Sequence, residues 1–444
     1  MGPAARAGSF GRALSEASDT VSVLVACGAL ASVGEVFRHC FAGHRARVVA
    51  DATTWGVAGS AIQSQLGAAA LSPLILGGEA PLHADFDRVL EIERQLTGEI
   101  PIAVGSGTVN DLVKLAADRA GAPYMVAATA ASMDGYAAYG AAITRDGVKQ
   151  TMACAAPRAV VADLDVLAAA PSYLTSWGYG DLIGKVTAGA DWLVARAVGA
   201  EEWSDAAWLT VQRPLRRTLA DPHLTMDGDV VAVERLVTGL VRSGLAMQVM
   251  QSSRPASGSE HQLSHLWEMD GHTVAGQSPS HGHKVAVGTV IVSALYEHLL
   301  ARDLSGVDVE RLCERLESPN SVATRVRGSF PAGPRADAAV AESLAKHPES
   351  DLLRKRLELL SRRWPRLKGR LLDQLMPVAE LRALLRTAAC PSTPGDIGIP
   401  LDQVAESVRR ARQIRRRYTV LDLAAETGLL DELLDEVVTG PHLR

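Results

Sequence analysis

The chain has 444 residues, 47% hydrophobic and 21% charged, with a formal net charge of −5. This is the composition of a globular protein long enough for two domains and a large core, and the acidic total argues against a nucleic-acid partner or an anionic membrane surface. Five cysteines, at 27, 40, 154, 313 and 390, show no CxxC spacing, which argues against a disulfide frame or zinc knuckle and reads as the reduced thiols of a cytoplasmic protein.

Residues 1–20 read as a flexible lead. Residues 21–30 are apolar, but the run is short and follows Glu16 and Asp19, so neither a signal peptide nor a membrane-inserted span is expected. From 21 to 166 short apolar runs at 21–25, 46–50, 72–76, 100–104 and 124–128 alternate with helical patterns at 55–70, 86–96 and 110–120. Strands alternating with helices predict an α/β domain with a parallel sheet. From 167 to 444 the pattern becomes all-helical, with amphipathic stretches at 181–198, 231–251, 285–303, 306–317, 336–346, 350–375, 401–417 and 419–437. Pro/Gly-rich breaks fall at 329–334 and 391–400. Arginine-rich stretches at 354–370 and 409–417 alternate with Leu and Ile. They read as solvated helix faces or a subunit interface, consistent with a homodimer or higher oligomer.

The motifs follow in chain order. Asp51 closes the second strand, where an acid either accepts from ribose hydroxyls or caps the next helix. Residues 100–111 run strand, Gly105-Ser106-Gly107-Thr108, helix start with Asn110 and Asp111. Backbone N–H groups there either cradle a pyrophosphate or merely turn the chain. Thr129, Ser132 and Asp134 lie on a loop after another strand, a ligand position at the carboxyl edge of a parallel sheet or an ordinary Asp-Gly turn. Asp181 is expected at a helix start with Lys185 one turn later, as a surface ion pair or as a metal ligand and a phosphate contact. A small polar run from Ser252 through Arg254 and Gly258 leads into His261 and His265, and His281 and His283 follow. Histidines at i and i+4 share a helix face; they either pack there or bind a divalent metal, completed by a carboxylate from elsewhere.

Together these segments resemble the sn-glycerol-1-phosphate dehydrogenases, bacterial type, within the dehydroquinate synthase-like and iron-containing alcohol dehydrogenase superfamily. The matching stretches are GSGTVNDLVK (105–114), TAASMDGYAAYGAAI (129–143), GYGDLIGKVTAGADW (178–192), SRPASGSEHQLSHLWEM (253–269), HGHKVAVGT (281–289) and RYTVLDL (417–423). The resemblance implies a metal- and NAD(P)-dependent enzyme that reduces dihydroxyacetone phosphate to sn-glycerol 1-phosphate, with an N-terminal Rossmann-like α/β nucleotide domain followed by an all-helical metal- and substrate-binding domain. Carried over, it implies Asp181, His261 and His281 as ligands of zinc, nickel or iron, and His265 beside the substrate. It also places Gly105–Thr108 on the cofactor pyrophosphate, Asp51 near the ribose, Thr129 and Ser132 by the nicotinamide, and Asp134 near metal and substrate. Lys185 and Arg254 are the candidates for the substrate phosphate on chemical grounds. Two positions depart from the family pattern: Ala131, where proline is usual, and His283, where many relatives have glutamate. The alternatives are a related dehydrogenase of another polyol or phosphonate, and a dehydroquinate synthase-like lyase.

Overall fold

The computed structural model describes residues 10–77, 82–145 and 148–444. It forms two compact units, Met1–Leu182 with Asp205–Ala256, and Ile183–Ser204 with Ser257–Arg444. These bounds differ from a single break at 166. The cause is helix Val230–Met250, whose Gln248 accepts from the N–H groups of Asp19 and Thr20 (3.0 and 3.1 Å) and donates to the carbonyl of Ala137 (2.6 Å).

The first unit is built on a six-stranded parallel sheet of β1 (Ser22–Ala26), β2 (Ala46–Asp51), β3 (Leu74–Leu76), β4 (Ile100–Gly105), β5 (Met125–Ala128) and β8 (Ala159–Asp163), in the order β1-β8-β5-β4-β2-β3. Every residue of β4, β5 and β8 is buried, as expected of central strands covered on both faces. β8 has no counterpart among the expected strands, although its Ala-Val-Val-Ala-Asp sequence is much like the run read at 46–50. β6 (Ala141–Arg145) and β7 (Val148–Met152) form an antiparallel hairpin that was not among the expected strands, although the sequence carries an Asp-Gly pair between the two runs. Part of the expected lead, residues 1–9, lies outside the described residues. Gly11–Glu16 is helical instead of loose, with Phe10 and Ala13 buried.

The second unit is helical throughout. The expected 419–437 helix divides into Val420–Glu426 and Leu430–Thr439, because Gly428 between them takes a φ of 73°. No helix among the described residues is long and apolar enough to cross a membrane.

Candidate metal and nucleotide sites

Helix Ser259–Met269 carries His261, His265 and Glu268 at i, i+4 and i+7, one stripe of its surface. Helix His281–Leu300 starts at His281, with Ser280 capping it by accepting from the His283 N–H (3.1 Å). The two helices pack so closely that a Cβ at Gly288 would lie 2.6 Å from the Glu260 carbonyl oxygen. This draws three imidazoles into a triangle, with ring centroids 6.2 Å apart for His261–His265, 5.4 Å for His261–His281 and 5.5 Å for His265–His281. His272 is not among them; its Nε2 pairs with the Ile397 carbonyl at 2.6 Å. His283 is pushed down to about 4 by burial.

Two glutamates that sequence reasoning did not single out orient these rings. Glu260, fully buried, lies 2.7 Å from His261 Nδ1 and also accepts from the Gly258 N–H (2.6 Å) and the Thr187 hydroxyl (2.7 Å). Burial alone would raise its carboxyl; the bonds from His261, Thr187 and Gly258 outweigh that and hold it below the usual range. Glu268 Oε1 lies 3.0 Å from His281 Nδ1 and 3.2 Å from Lys284 Nζ, and its Oε2 is 3.5 Å from His265 Nδ1. With Nδ1–H donating to a carboxylate, Nε2 of His261 and of His281 keeps its lone pair. The sequence signal was the spacing E-H-x3-H-x2-E. His265 is held well below the ordinary histidine range, first by burial and then by the Arg415 guanidinium, so its imidazole is neutral at physiological pH.

The 417–423 motif braces the same helix. Arg417 donates to the Ser257 carbonyl (2.7 Å), and the Val420 N–H to Asp191 (2.9 Å). The other oxygen of Asp191 accepts from the Ser259 N–H and hydroxyl, both at 2.7 Å.

Asp181 sits in the last turn of helix Ser172–Ile183, not at a helix start. The glycines that suggested a break are helical, and Gly178 lets the helix approach the 129–135 loop; a Cβ there would be 1.9 Å from the Ala131 carbonyl oxygen. Asp181 is fully buried and its Oδ2 accepts from the Asp134 N–H (2.9 Å). Asp181, His261 and His281 each offer a ligand atom, all within 4.8 Å of one another. Lys185 opens the following helix, Lys185–Val198, and is fully buried; Arg254 is buried in the loop before Gly258.

In the first unit β2 leads outward to β3 and β4 leads the other way to β5, so the β2/β4 pair is the switch point where open α/β sheets bind ligands. Asp51 and Gly105 end those strands. Ser106, half-buried, precedes helix Gly107–Arg119 and makes no side-chain capping bond, and Gly107 and Thr108 are likewise half-buried. Asp51 does cap its helix, its Oδ1 accepting from the Thr54 N–H at 2.7 Å. Thr129 donates from its N–H to the Gly105 carbonyl (3.1 Å), and Ser132 lies against the Tyr136 hydroxyl (3.2 Å). Asp111 accepts from the Ala142 N–H and the Asn110 amide, both at 3.2 Å. Beside it Lys114, fully buried, donates to the carbonyls of Gly135, Ala138 and Gly140 at 2.8, 2.9 and 3.0 Å. Sequence reasoning missed this lysine; the signal was a polar pair, Asn110 and Lys114, at i and i+4 on an otherwise buried helix.

Known proteins with similar features bear on these sites. Residues 24–171 match the iron-containing alcohol dehydrogenase family model. A probable glycerol dehydrogenase from Sinorhizobium meliloti shares the fold, with a TM-score of 0.60 and 16% identity over 94% of this chain and 98% of that one. A glycerol-1-phosphate dehydrogenase, NAD(P)+, of Halalkalibacterium halodurans is 29% identical over 84% of each chain. Its counterpart in Bacillus licheniformis is 35% identical over 60% of this chain and 68% of its own length. On that similarity, the chain belongs to the glycerol-1-phosphate dehydrogenase family.

Proposed function

We propose that the chain is a metal-dependent oxidoreductase that reduces dihydroxyacetone phosphate to sn-glycerol 1-phosphate with NADH or NADPH. The observation that carries this reading is the donor set of Asp181, His261 and His281 within 4.8 Å, two of whose rings are aimed by buried carboxylates. That set fits a divalent ion, because one carboxylate and two Nε2 lone pairs leave positions for a substrate oxygen. Asp181, His261 and His281 would hold it. Zinc is our assignment, and nickel or iron accept the same donors. When bound, the metal supplies Lewis acidity to the C2 carbonyl and the reduced nicotinamide supplies the hydride.

The chain's own residues do the rest. His265, neutral and beside Glu268, relays the proton that the C2 oxygen needs from solvent water, one ring nitrogen taking a proton as the other gives one up. Lys185 and Arg254 hold the substrate phosphate, a dianion suited to ammonium and guanidinium. Asp134 steadies Asp181 through its N–H and adjoins the substrate. Backbone N–H groups of Gly105, Ser106, Gly107 and Thr108 receive the cofactor pyrophosphate. Asp51 keeps Oδ2 for a ribose hydroxyl, and Thr129 and Ser132 flank the nicotinamide. Asp111 serves the cofactor by bracing this loop together with Lys114. All five cysteines are free, which fits a reducing cytoplasm, and the Arg/Leu helix faces support a homodimer or higher oligomer.

The test is metal content measured together with NADH oxidation and chiral analysis of the product. The reading expects a bound divalent metal, NADH consumed in step with dihydroxyacetone phosphate, and sn-glycerol 1-phosphate as product. The opposite enantiomer, or faster use of unphosphorylated dihydroxyacetone, would overturn it in favour of another polyol dehydrogenase; no net NADH consumption would point to a lyase.

A further inference from the structure

A cavity of about 270 Å³ lies in the helical unit, and none of its lining residues belongs to the sites described above. Its charges do not balance. Glu317 is matched by Arg325 through two bonds of 3.2 and 2.7 Å, and Glu426 by Arg356 at 2.6 Å. Lys346 and Arg412 both pair with Asp422, at 2.8 and 3.0 Å, while the Glu201 carboxylate also acts on Lys346, whose Nζ donates to the Arg412 carbonyl at 2.6 Å. Arg315, exposed at the cavity, forms no ion pair among the described residues. With Asp422 and Glu201 set against Lys346 and Arg412, the cavity keeps one cation beyond these carboxylates, Arg315. In the wall, Gln413 is only 5% exposed, and its Oε1 has no hydrogen-bond partner among the described residues. A buried amide oxygen without a donor costs about 1–3 kcal/mol, so a ligand that supplies one gains there.

We propose that this cavity binds a small hydroxylated phosphomonoester. A phosphate meets the unmatched charge of Arg315, beside the Lys346–Arg412 pair. A ligand hydroxyl donates to Gln413 Oε1, and Leu316, Val322 and Val326 cover the carbon skeleton. The volume is at the small end for ligand pockets, which favours a sugar phosphate over a nucleotide.

The experiment is calorimetric titration of the metal-loaded enzyme with glucose 6-phosphate, with glucose as the uncharged control, in the wild type and in Arg315→Glu and Gln413→Leu. Arg315 is exposed, so its variant keeps the fold. The expected result is binding of glucose 6-phosphate but not of glucose. The Kd should rise at least about tenfold in Arg315→Glu and several-fold in Gln413→Leu, with kcat/KM for dihydroxyacetone phosphate within about twofold of wild type in both. Absence of binding to the wild type up to about 10 mM, a very weak affinity, would overturn the proposal. So would an unchanged Kd in both variants, which would place the bound anion elsewhere.

Discussion

In the 259–284 region each of the three clustered imidazoles has a carboxylate against its Nδ1, supplied by the same helix or the next one. In the 105–135 region the chain does the reverse and withholds side chains from the carboxyl edge of the sheet, leaving glycines and backbone N–H groups at the switch point. The first arrangement fixes directions, as a metal needs ligands aimed within narrow limits. The second leaves room, as a pyrophosphate needs close approach of backbone. Removing a side chain should therefore damage the first region, and adding one should damage the second.

The largest effect should come from the ligands themselves. His261→Ala and His281→Ala should each lose bound metal and lower kcat/KM at least about a thousandfold, equivalent to ~4 kcal/mol of transition-state stabilisation. His265→Ala should lose turnover while keeping its metal, and metal loss there would show an i,i+4 chelate instead. The orienting glutamates sharpen the contrast. Glu260→Gln and Glu268→Gln should weaken metal affinity by roughly 10–100-fold, read by competition with a chelator. Unchanged affinity would mean that the carboxylates only support the fold.

Lys185 and Arg254 come next. Replacing either with Ala should cost roughly 1.5–3 kcal/mol of kcat/KM on dihydroxyacetone phosphate and little on unphosphorylated dihydroxyacetone. Because both are buried, equal losses on the two ketones would assign them to the fold or the metal. On the nucleotide side, Gly107→Val should raise the cofactor Kd about tenfold, ~1.4 kcal/mol. Even a Cβ there would lie 3.0 Å from Met133 Sδ, so a folded variant with unchanged NADH affinity would make the turn purely structural.

The remaining effect concerns acid stability, not activity. Burial would raise the Asp422 carboxyl, but Lys346 and Arg412 beside it, with the Thr419 N–H, hold it below the ordinary value of 3.8. Its contribution is full above that value and is lost as pH falls through the lower folded value. Asp422→Asn should therefore cost about 1–3 kcal/mol at neutral pH and flatten the acid limb of the stability curve. A difference that stays constant from neutral pH into acid would contradict it.

What could be read from sequence was what repeats at short range. Helical spacing joined His261 to His265, and the glycine turn announced itself by strand, Gly-x-Gly and helix. Glu260 and Glu268 were not legible as partners, because Glu268 becomes one only when the 281–300 helix packs across it, and Glu260 looks like an ordinary first-turn acid. Asp181 was misplaced at a helix start because Gly178 and Gly180 suggested a break; Gly178 instead lets the helix meet Ala131, far earlier in the chain, which no local pattern records. The Ala/Val core of β8 and the Asp-Gly pair between β6 and β7 were legible but not read, and Gln248, an isolated glutamine in sequence, helps tie helices 205–250 to the first unit.

The central claim is that Asp181, His261 and His281 hold a divalent metal. X-ray absorption spectroscopy at the metal edge of the zinc-loaded enzyme tests it most directly. The account predicts one site with two imidazoles at about 2.0–2.1 Å and carboxylate or water oxygens at about 2.0–2.2 Å, reduced to one imidazole in His281→Ala. Three imidazoles in the wild type, sulfur in the first shell, or a spectrum unchanged by His281→Ala would contradict it.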